Sequence, residues 1–176
     1  MNALSLYAEL LGGAFERLSP ILKHLHDDRP RKRYAGRCSV RRGRGWIARA
    51  IARIARLPHP QSDVAVTVEI ECSAGGETWT RRFDEHEMRS TLRKRQGTLE
   101  ERLGLVVLRF ELIAEADRIV WMLKGARLLL LPLPLSWFAA CAATESVKNG
   151  RYCFDVRAEI IGVGLIVHYE GWLIER

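Results

Sequence analysis

After Pro60 the sequence alternates apolar and polar side chains with a period of two, and it keeps that period for most of the remaining chain. In residues 64–72, Val64, Val66, Val68, Ile70 and Cys72 alternate with Thr67, Glu69 and Glu71, which predicts a strand with one buried and one wet face. Gly75 and Gly76 turn the chain into residues 77–83, where Trp79, Arg81 and Phe83 share a side, so the two runs form a hairpin. Further strands are predicted over 88–94, 98–103, 105–114 and 118–131. Asn149-Gly150, whose residues tolerate positive φ, joins a strand before Val147 to one over 151–160 that points Tyr152, Phe154, Val156, Ala158 and Ile160 inward. Gly162 and Gly164 then lead into a strand over 165–174. Short turns make successive strands antiparallel neighbours, so about eight or nine strands form a meander that must curl or close to hide its apolar face and edges.

Ahead of the meander the period is helical. Leu6, Leu10, Leu11, Ala14, Phe15 and Leu18 form one stripe, weakened by Gly12 and Gly13, and Ser19-Pro20 opens a second short helix over 20–26. Residues 32–40 are extended and end in an arginine- and glycine-rich loop over 41–45. Residues 46–57 carry Trp46, Ile47, Ala50, Ile51 and Ile54 on one face and Arg49, Arg53 and Arg56 on another. That pattern predicts a cationic amphipathic helix that lays its apolar stripe on the sheet, and it also suits a membrane interface or a partner's groove. The expected fold is α+β, mainly β: a curved antiparallel meander sheet or partly closed barrel, with short N-terminal helices and one amphipathic helix after the first strand. A single domain over 1–176 divides into a helical N-terminus (1–28), a basic strand–loop–helix segment (29–60) and the antiparallel sheet (61–176).

Residues 128–143 are apolar apart from Ser136. The run is shorter than the roughly 20 residues a spanning helix needs, and Pro132 and Pro134 interrupt it, so a buried extended or kinked segment of the core is expected. The N-terminus lacks the cationic start and unbroken apolar run of a secretory signal, which sets a cytoplasmic location as the expectation. The four cysteines, Cys38, Cys72, Cys141 and Cys153, show no Cys-x-x-Cys spacing and are read as small core residues.

The net charge of +7 originates in one interval. No acid lies between Asp28 and Asp63, where eleven bases stand: Arg29, Arg31, Lys32, Arg33, Arg37, Arg41, Arg42, Arg44, Arg49, Arg53 and Arg56. Two readings remain open: neutralisation by Glu69, Glu71, Asp84, Glu85 and Glu87 on neighbouring strands, or an anionic partner outside the chain.

No catalytic residue, metal ligand or cofactor is predicted. His24, His26, Asp27 and Asp28 form the densest cluster of ligand-type residues, but positions two apart on a helix point to different sides, so solvated or capping roles are expected. Asp84 to Glu87 read as a solvated turn; His168 and Glu170 share one face of the last strand; no serine lies in Gly-x-Ser-x-Gly. Trp79, Trp121 and Trp172 fall in strand patterns that would line the inside of a curved sheet. The candidate ligand-binding set is therefore Arg37, Arg41, Arg44, Trp79, Arg81, Trp121, Tyr152, Tyr169 and Trp172, for an apolar or lipid-like molecule with an anionic head near the arginine segment. Arg42, Arg49, Arg53 and Arg56 are candidates for contact with an anionic surface, a membrane in preference to nucleic acid, because no helix-turn-helix, RNA-recognition or zinc-finger pattern is present.

Several phrases, LYAELLGGAFERLSPILKHLHD, YAGRCSVRRGRGW, ETWTRRF, GARLLLLPLPLSW, GRYCFDV and YEGWL, together resemble the bacterial domain-of-unknown-function family 4166 across almost the whole chain. Members also occur behind a nucleotide-binding domain similar to saccharopine dehydrogenase. The resemblance therefore implies an accessory or interaction role beside an oxidoreductase, and no catalytic residues to carry over. The sequence has no Gly-x-Gly-x-x-Gly after an opening strand, so that nucleotide-binding half is not found here.

Overall fold

The computed structural model describes residues 4–176. Ser5 opens the first helix, its Oγ accepting from the Ala8 amide at 3.2 Å, and α1 (Leu6–Leu11) ends where Gly12 takes φ +55°. A short α2 (Gly13–Glu16) follows, and Pro20 starts α3 (Pro20–Leu25) at the position where its missing N–H costs nothing. Then come β1 (Arg31–Arg42), α4 (Trp46–Ile54), β2 (Gln61–Ser73), β3 (Gly76–Phe83), β4 (His86–Arg95), β5 (Thr98–Leu103) and β6 (Val106–Glu115). The chain finishes with β7 (Arg118–Leu128), β8 (Leu131–Leu133), a 3-10 turn (Leu135–Trp137), β9 (Phe138–Lys148), β10 (Arg151–Ile160) and β11 (Gly164–Glu175).

Every neighbouring pair is antiparallel, β6 continues onto β7, β7 onto β9, and β1 returns to β11. Ten strands thus close into a barrel, with β8 as an eleventh, outer strand on the far half of β7. The expected eight or nine strands and partial closure are corrected to eleven strands and full closure. The extended 32–40 segment joins the barrel as β1, and the strand with no counterpart is β8, in the proline-containing apolar run, where no alternation marks it. Closure gives each of the ten strands two partners and leaves β8 alone at an edge.

Alternation fills the barrel. Val66, Val68 and Ile70 of β2, Trp79 and Phe83 of β3, Leu99 of β5, Trp121 of β7 and Tyr152 of β10 are all buried. The outer wall carries ion pairs such as Arg33–Glu69 and Arg82–Glu87, the reverse of a lipid-facing barrel surface. α1 to α3 plug one end through Tyr7, Phe15, Leu18, Leu22 and Leu25, and the Ser19 amide donates to the Ala116 carbonyl in the β6–β7 turn at 2.8 Å. Among the described residues no helix is long and apolar enough to cross a membrane. Cys38 is buried, the other three cysteines are half-buried, and all four are free.

α4 lies over the opposite end, but not on the face its sequence suggests. Ala48, Ala52 and Ala55 are buried with Ile51 half-buried, whereas Trp46, Ile47, Ala50 and Ile54 are exposed. The close seat explains the choice: a side chain at Gly43 would strike the Leu165 carbonyl and the Ala48 methyl, so only small residues fit beneath the helix. The expectation of a buried 128–143 segment is corrected likewise. Leu129, Leu130, Leu131, Leu135 and Trp137 are exposed because the β7–β8 turn, β8 and the 3-10 turn project past the barrel end, with no core beneath them.

The β1–β11 seam depends on two glycines. A methyl group at Gly36 would lie 1.7 Å from the Trp172 carbonyl oxygen, and one at Gly171 would lie 2.3 Å from the Arg37 carbonyl oxygen and 2.6 Å from the Cys38 β-carbon. Gly171→Ala is expected to cost about 1–3 kcal/mol of unfolding free energy in urea titration; an unchanged midpoint would show that the seam has slack.

Candidate binding cavity and cationic rim

The barrel encloses a cavity of about 160 Å³. Its walls are apolar, with Val68, Phe83, Leu108, Phe110 and Phe154 among them, and Ile51, Ala55 and Leu57 of the α4 region close it from one end. Polar residues interrupt the apolar lining, Arg81, Glu101, Glu145, Tyr152 and Tyr169 from the buried side of the wall, with Thr144 and the exposed Arg157 also bordering it.

The three charged ones, Arg81, Glu101 and Glu145, are each held by a neighbour. Arg81 Nη1 donates to Ser90 Oγ at 2.8 Å, Nη2 stands 3.6 Å from Glu101, and the guanidinium lies 4.7 Å from the Trp79 ring centre. Glu145 meets His26 Nε2 at 2.6 Å, and Tyr7 stacks on that imidazole at 3.6 Å between ring centres. Glu77 accepts from Trp79 Nε1 at 2.7 Å. Burial, reinforced by the Glu145 charge, pushes the Tyr7 and Tyr152 phenols well above their ordinary range, and burial takes Tyr169 up to about 12. All three phenols are therefore protonated at neutral pH. Tyr7 Oη, His26 Nδ1, Glu77 Oε1 and Trp121 Nε1 are buried without a hydrogen-bond partner among the described residues. The Tyr7 ring centre lies 3.6 Å from that of His26 and 6.1 Å from that of Trp121, and Glu77 is bonded to Trp79, whose ring is 6.0 Å from His26, so this base of the barrel has polar capacity that its own side chains do not use.

Of the residues singled out from sequence, Trp79, Arg81, Trp121, Tyr152 and Tyr169 converge on the cavity. The others do not. Arg37 lies on the outer wall, chelating Asp63 through Nε (2.6 Å) and Nη2 (2.9 Å). Arg41 is also outside, 2.7 Å from His168 Nδ1 and 3.7 Å from Glu170. Trp172 faces outward under the Arg151 guanidinium, and Arg44 sits in the loop after β1. Strand phase accounts for this, since Cys38 and Val40 point inward from β1 and Leu173 from β11, which turns Arg37, Arg41 and Trp172 out. Sequence reasoning missed Glu77, Glu101 and Glu145, although each is in phase with apolar inward neighbours. His26, expected to be solvated or capping, is fully buried because α3 ends inside the barrel mouth. His24 turns the other way, onto Glu175 at 2.6 Å.

The eleven clustered bases divide into two groups. Arg29 pairs with Asp27 and Glu175, Arg31 and Arg33 with Glu69, Lys32 with Asp27, Arg37 with Asp63 and Arg41 with Glu170. Arg42, Arg44, Arg49, Arg53 and Arg56 have no carboxylate within 4.0 Å among the described residues. They line an open groove with His59 and His86, between α4 and the end of β1, and none of them lines the cavity. Arg42 donates to the Leu57 carbonyl, and burial lowers its pKa. Internal neutralisation therefore covers the first part of the basic segment and stops at Arg41, before α4. Asp155, His168 and Glu170 have metal-ligand spacing on the outer wall, but the Arg41 guanidinium already binds that imidazole.

Burial raises the Glu77 pKa, with nearby His26 and Lys32 opposing the rise. A carboxyl whose folded pKa exceeds its unfolded value favours folding below the unfolded pKa, and that contribution disappears as pH rises through the folded pKa. Glu77→Gln keeps an acceptor for Trp79 Nε1 and removes the buried charge. It is expected to raise Tm at neutral pH and flatten the fall of Tm with pH above the carboxylate range; a lower Tm at pH 7 would contradict this reading.

A solved structure, Rv2717c from M. tuberculosis, aligns with 90% of this chain and 99% of its own, at 14% identity and a TM-score of 0.46. No curated protein matches the sequence. A family model described as Domain of unknown function (DUF4166) matches residues 18–173, nearly the whole chain, and the chain belongs to that family.

Proposed function

We propose that the barrel is a small-molecule binding module whose interior holds one apolar ligand with a hydrogen-bonding end. The observation that carries this is an apolar cavity inside a closed barrel with Arg81, Glu101, Glu145 and Tyr152 converging on it. Its volume of about 160 Å³ is close to the roughly 150 Å³ apolar cavity known to admit benzene, which sets the ligand at a single ring or a short acyl chain. Arg81 is already balanced by Glu101 and His26 stands against Glu145, so the polar end is best a neutral hydroxyl or amide. An anionic head inside the barrel would meet Arg81 and not the arginines of the rim, none of which lines the cavity.

Toluene and benzyl alcohol test the reading by ligand-observed NMR and thermal shift. Benzyl alcohol is expected to bind saturably and up to about tenfold more tightly than toluene, because its hydroxyl gains a partner. Ala158→Phe, which fills the lining, is expected to abolish binding while Tm holds. Absence of saturable binding, or binding unchanged in Ala158→Phe, would overturn the assignment.

A further inference from the structure

The end of the barrel covered by α4 carries both the unpaired arginines and a set of large exposed apolar side chains, and the two are contiguous. α4 shows three arcs at about 100° per residue. Ala48, Ile51 and Ala52 face the barrel, Arg49 and Arg53 form a cationic arc that Arg56, past the helix end at φ +53°, adjoins, and Trp46, Ile47, Ala50 and Ile54 form an apolar arc open to solvent. Trp46 is 73% exposed.

The apolar arc continues across the strand turns. Gly104 packs so closely on the end of α4 that a methyl group there would lie 3.0 Å from the Ile54 carbonyl oxygen. Next to it, the Leu105 carbonyl accepts from the Leu129 amide at 2.8 Å, which joins the β5–β6 turn to the projecting leucines. Leu130, at 89% exposure, is the most exposed large apolar residue among those described. Beyond the 3-10 turn, the Trp137 carbonyl accepts from the Ile161 amide at 2.7 Å, which ties in the β10–β11 turn. Ile54, Leu105, Leu129, Leu130, Trp137 and Ile161 thus form one rim of apolar tips mounted on turns.

Charge identifies the occupant. The two segments that build most of this end, 43–60 and 126–140, contain no Asp or Glu. Of the acids nearby, Glu87 on the groove wall is held by Arg82 at 3.0 Å, Glu159 near the end of β10 is held by Arg157 at 2.8 Å, Glu170 stands by Arg41, and Asp84 and Glu85 occupy the β3–β4 turn. Protruding Leu, Ile and Trp tips flanked by arginines without carboxylate partners match an anionic bilayer, whose boundary region accepts the apolar tips while its phosphates meet the guanidinium groups. A soluble protein partner would need a concave acidic face to receive tips spread over four turns and a helix.

We propose that this rim is a docking surface for an anionic lipid bilayer, with Trp46, Ile54, Leu130, Trp137 and Ile161 entering the headgroup–acyl boundary and Arg44, Arg49, Arg53 and Arg56 against lipid phosphate. The surface lies outside the cavity and does not depend on what the cavity holds.

Co-flotation of the full chain with vesicles tests it, using phosphatidylcholine alone and phosphatidylcholine with about one third phosphatidylglycerol. Binding to the anionic vesicles is expected, with a blue shift of tryptophan emission, and at least about tenfold weaker binding to phosphatidylcholine alone. Leu130→Asp with Ile161→Asp, and separately Arg49→Glu with Arg53→Glu, should each reduce vesicle binding by about tenfold or more at unchanged Tm. Arg31→Glu with Arg33→Glu, on the barrel wall, should leave it unchanged. Failure to bind anionic vesicles at low salt would overturn the proposal. So would binding indifferent to Leu130→Asp with Ile161→Asp, and so would duplex DNA competing the chain off vesicles regardless of that variant, since a nonspecific polyanion site would explain both.

Discussion

The return of β1 onto β11 is the constraint on which the remainder rests. An antiparallel meander of this length, left open, exposes two edges and an apolar face, and closing it satisfies both ladders at once. The seam runs from Tyr34 to Arg42 against Val167 to Glu175, and at Gly36 and Gly171 it is too close for a side chain. Once closed, the wall leaves an interior to fill and two ends to cover, and the chain treats the ends differently. α1 to α3 enter one mouth with large side chains, Tyr7 and Leu22 among them, and bring His26 to Glu145. α4 covers the other mouth with alanines.

That asymmetry separates two chemistries. Inside, apolar walls surround paired charges, Arg81 with Glu101 and His26 with Glu145, so the interior is polar at points but balanced. Outside, over α4, positive charge is left without carboxylate partners while the flank of the basic segment nearer β1 is neutralised by Glu69, Asp63 and Glu175. A helix with small residues toward the barrel keeps its large apolar and cationic side chains for the solvent, and the leucine-rich turn beside it does the same.

Much of the wall was legible because a half-buried strand writes its phase into the sequence. Val66, Val68 and Ile70 against Thr67 and Glu69, the Gly75-Gly76 turn and Asn149-Gly150 all mark elements the structure contains. The same phase, applied to charged residues, would have placed Glu101 beside Leu99 and Leu103 inside and turned Arg37 out; residue type outweighed position there. What period cannot report is which neighbour an apolar residue meets. The 128–143 run has no alternation and no charge, and burial in a core and projection past a barrel end have the same composition. In α4 the wheel shows an apolar and a cationic arc, but the alanine arc is selected by the depth of the mouth near Gly43 and Leu165, a property of distant strands.

Separation of the interior from the rim by α4 is the central claim, and hydrogen–deuterium exchange on the full chain tests it most directly. Benzyl alcohol should slow exchange in strands around the cavity, β3, β5 and β9, and leave the β7–β8 turn untouched; anionic vesicles should protect α4, residues 129–137 and Ile161 while α1 to α3 exchange as before. One shared footprint for both additions, or vesicle protection centred on α1 to α3, would contradict it.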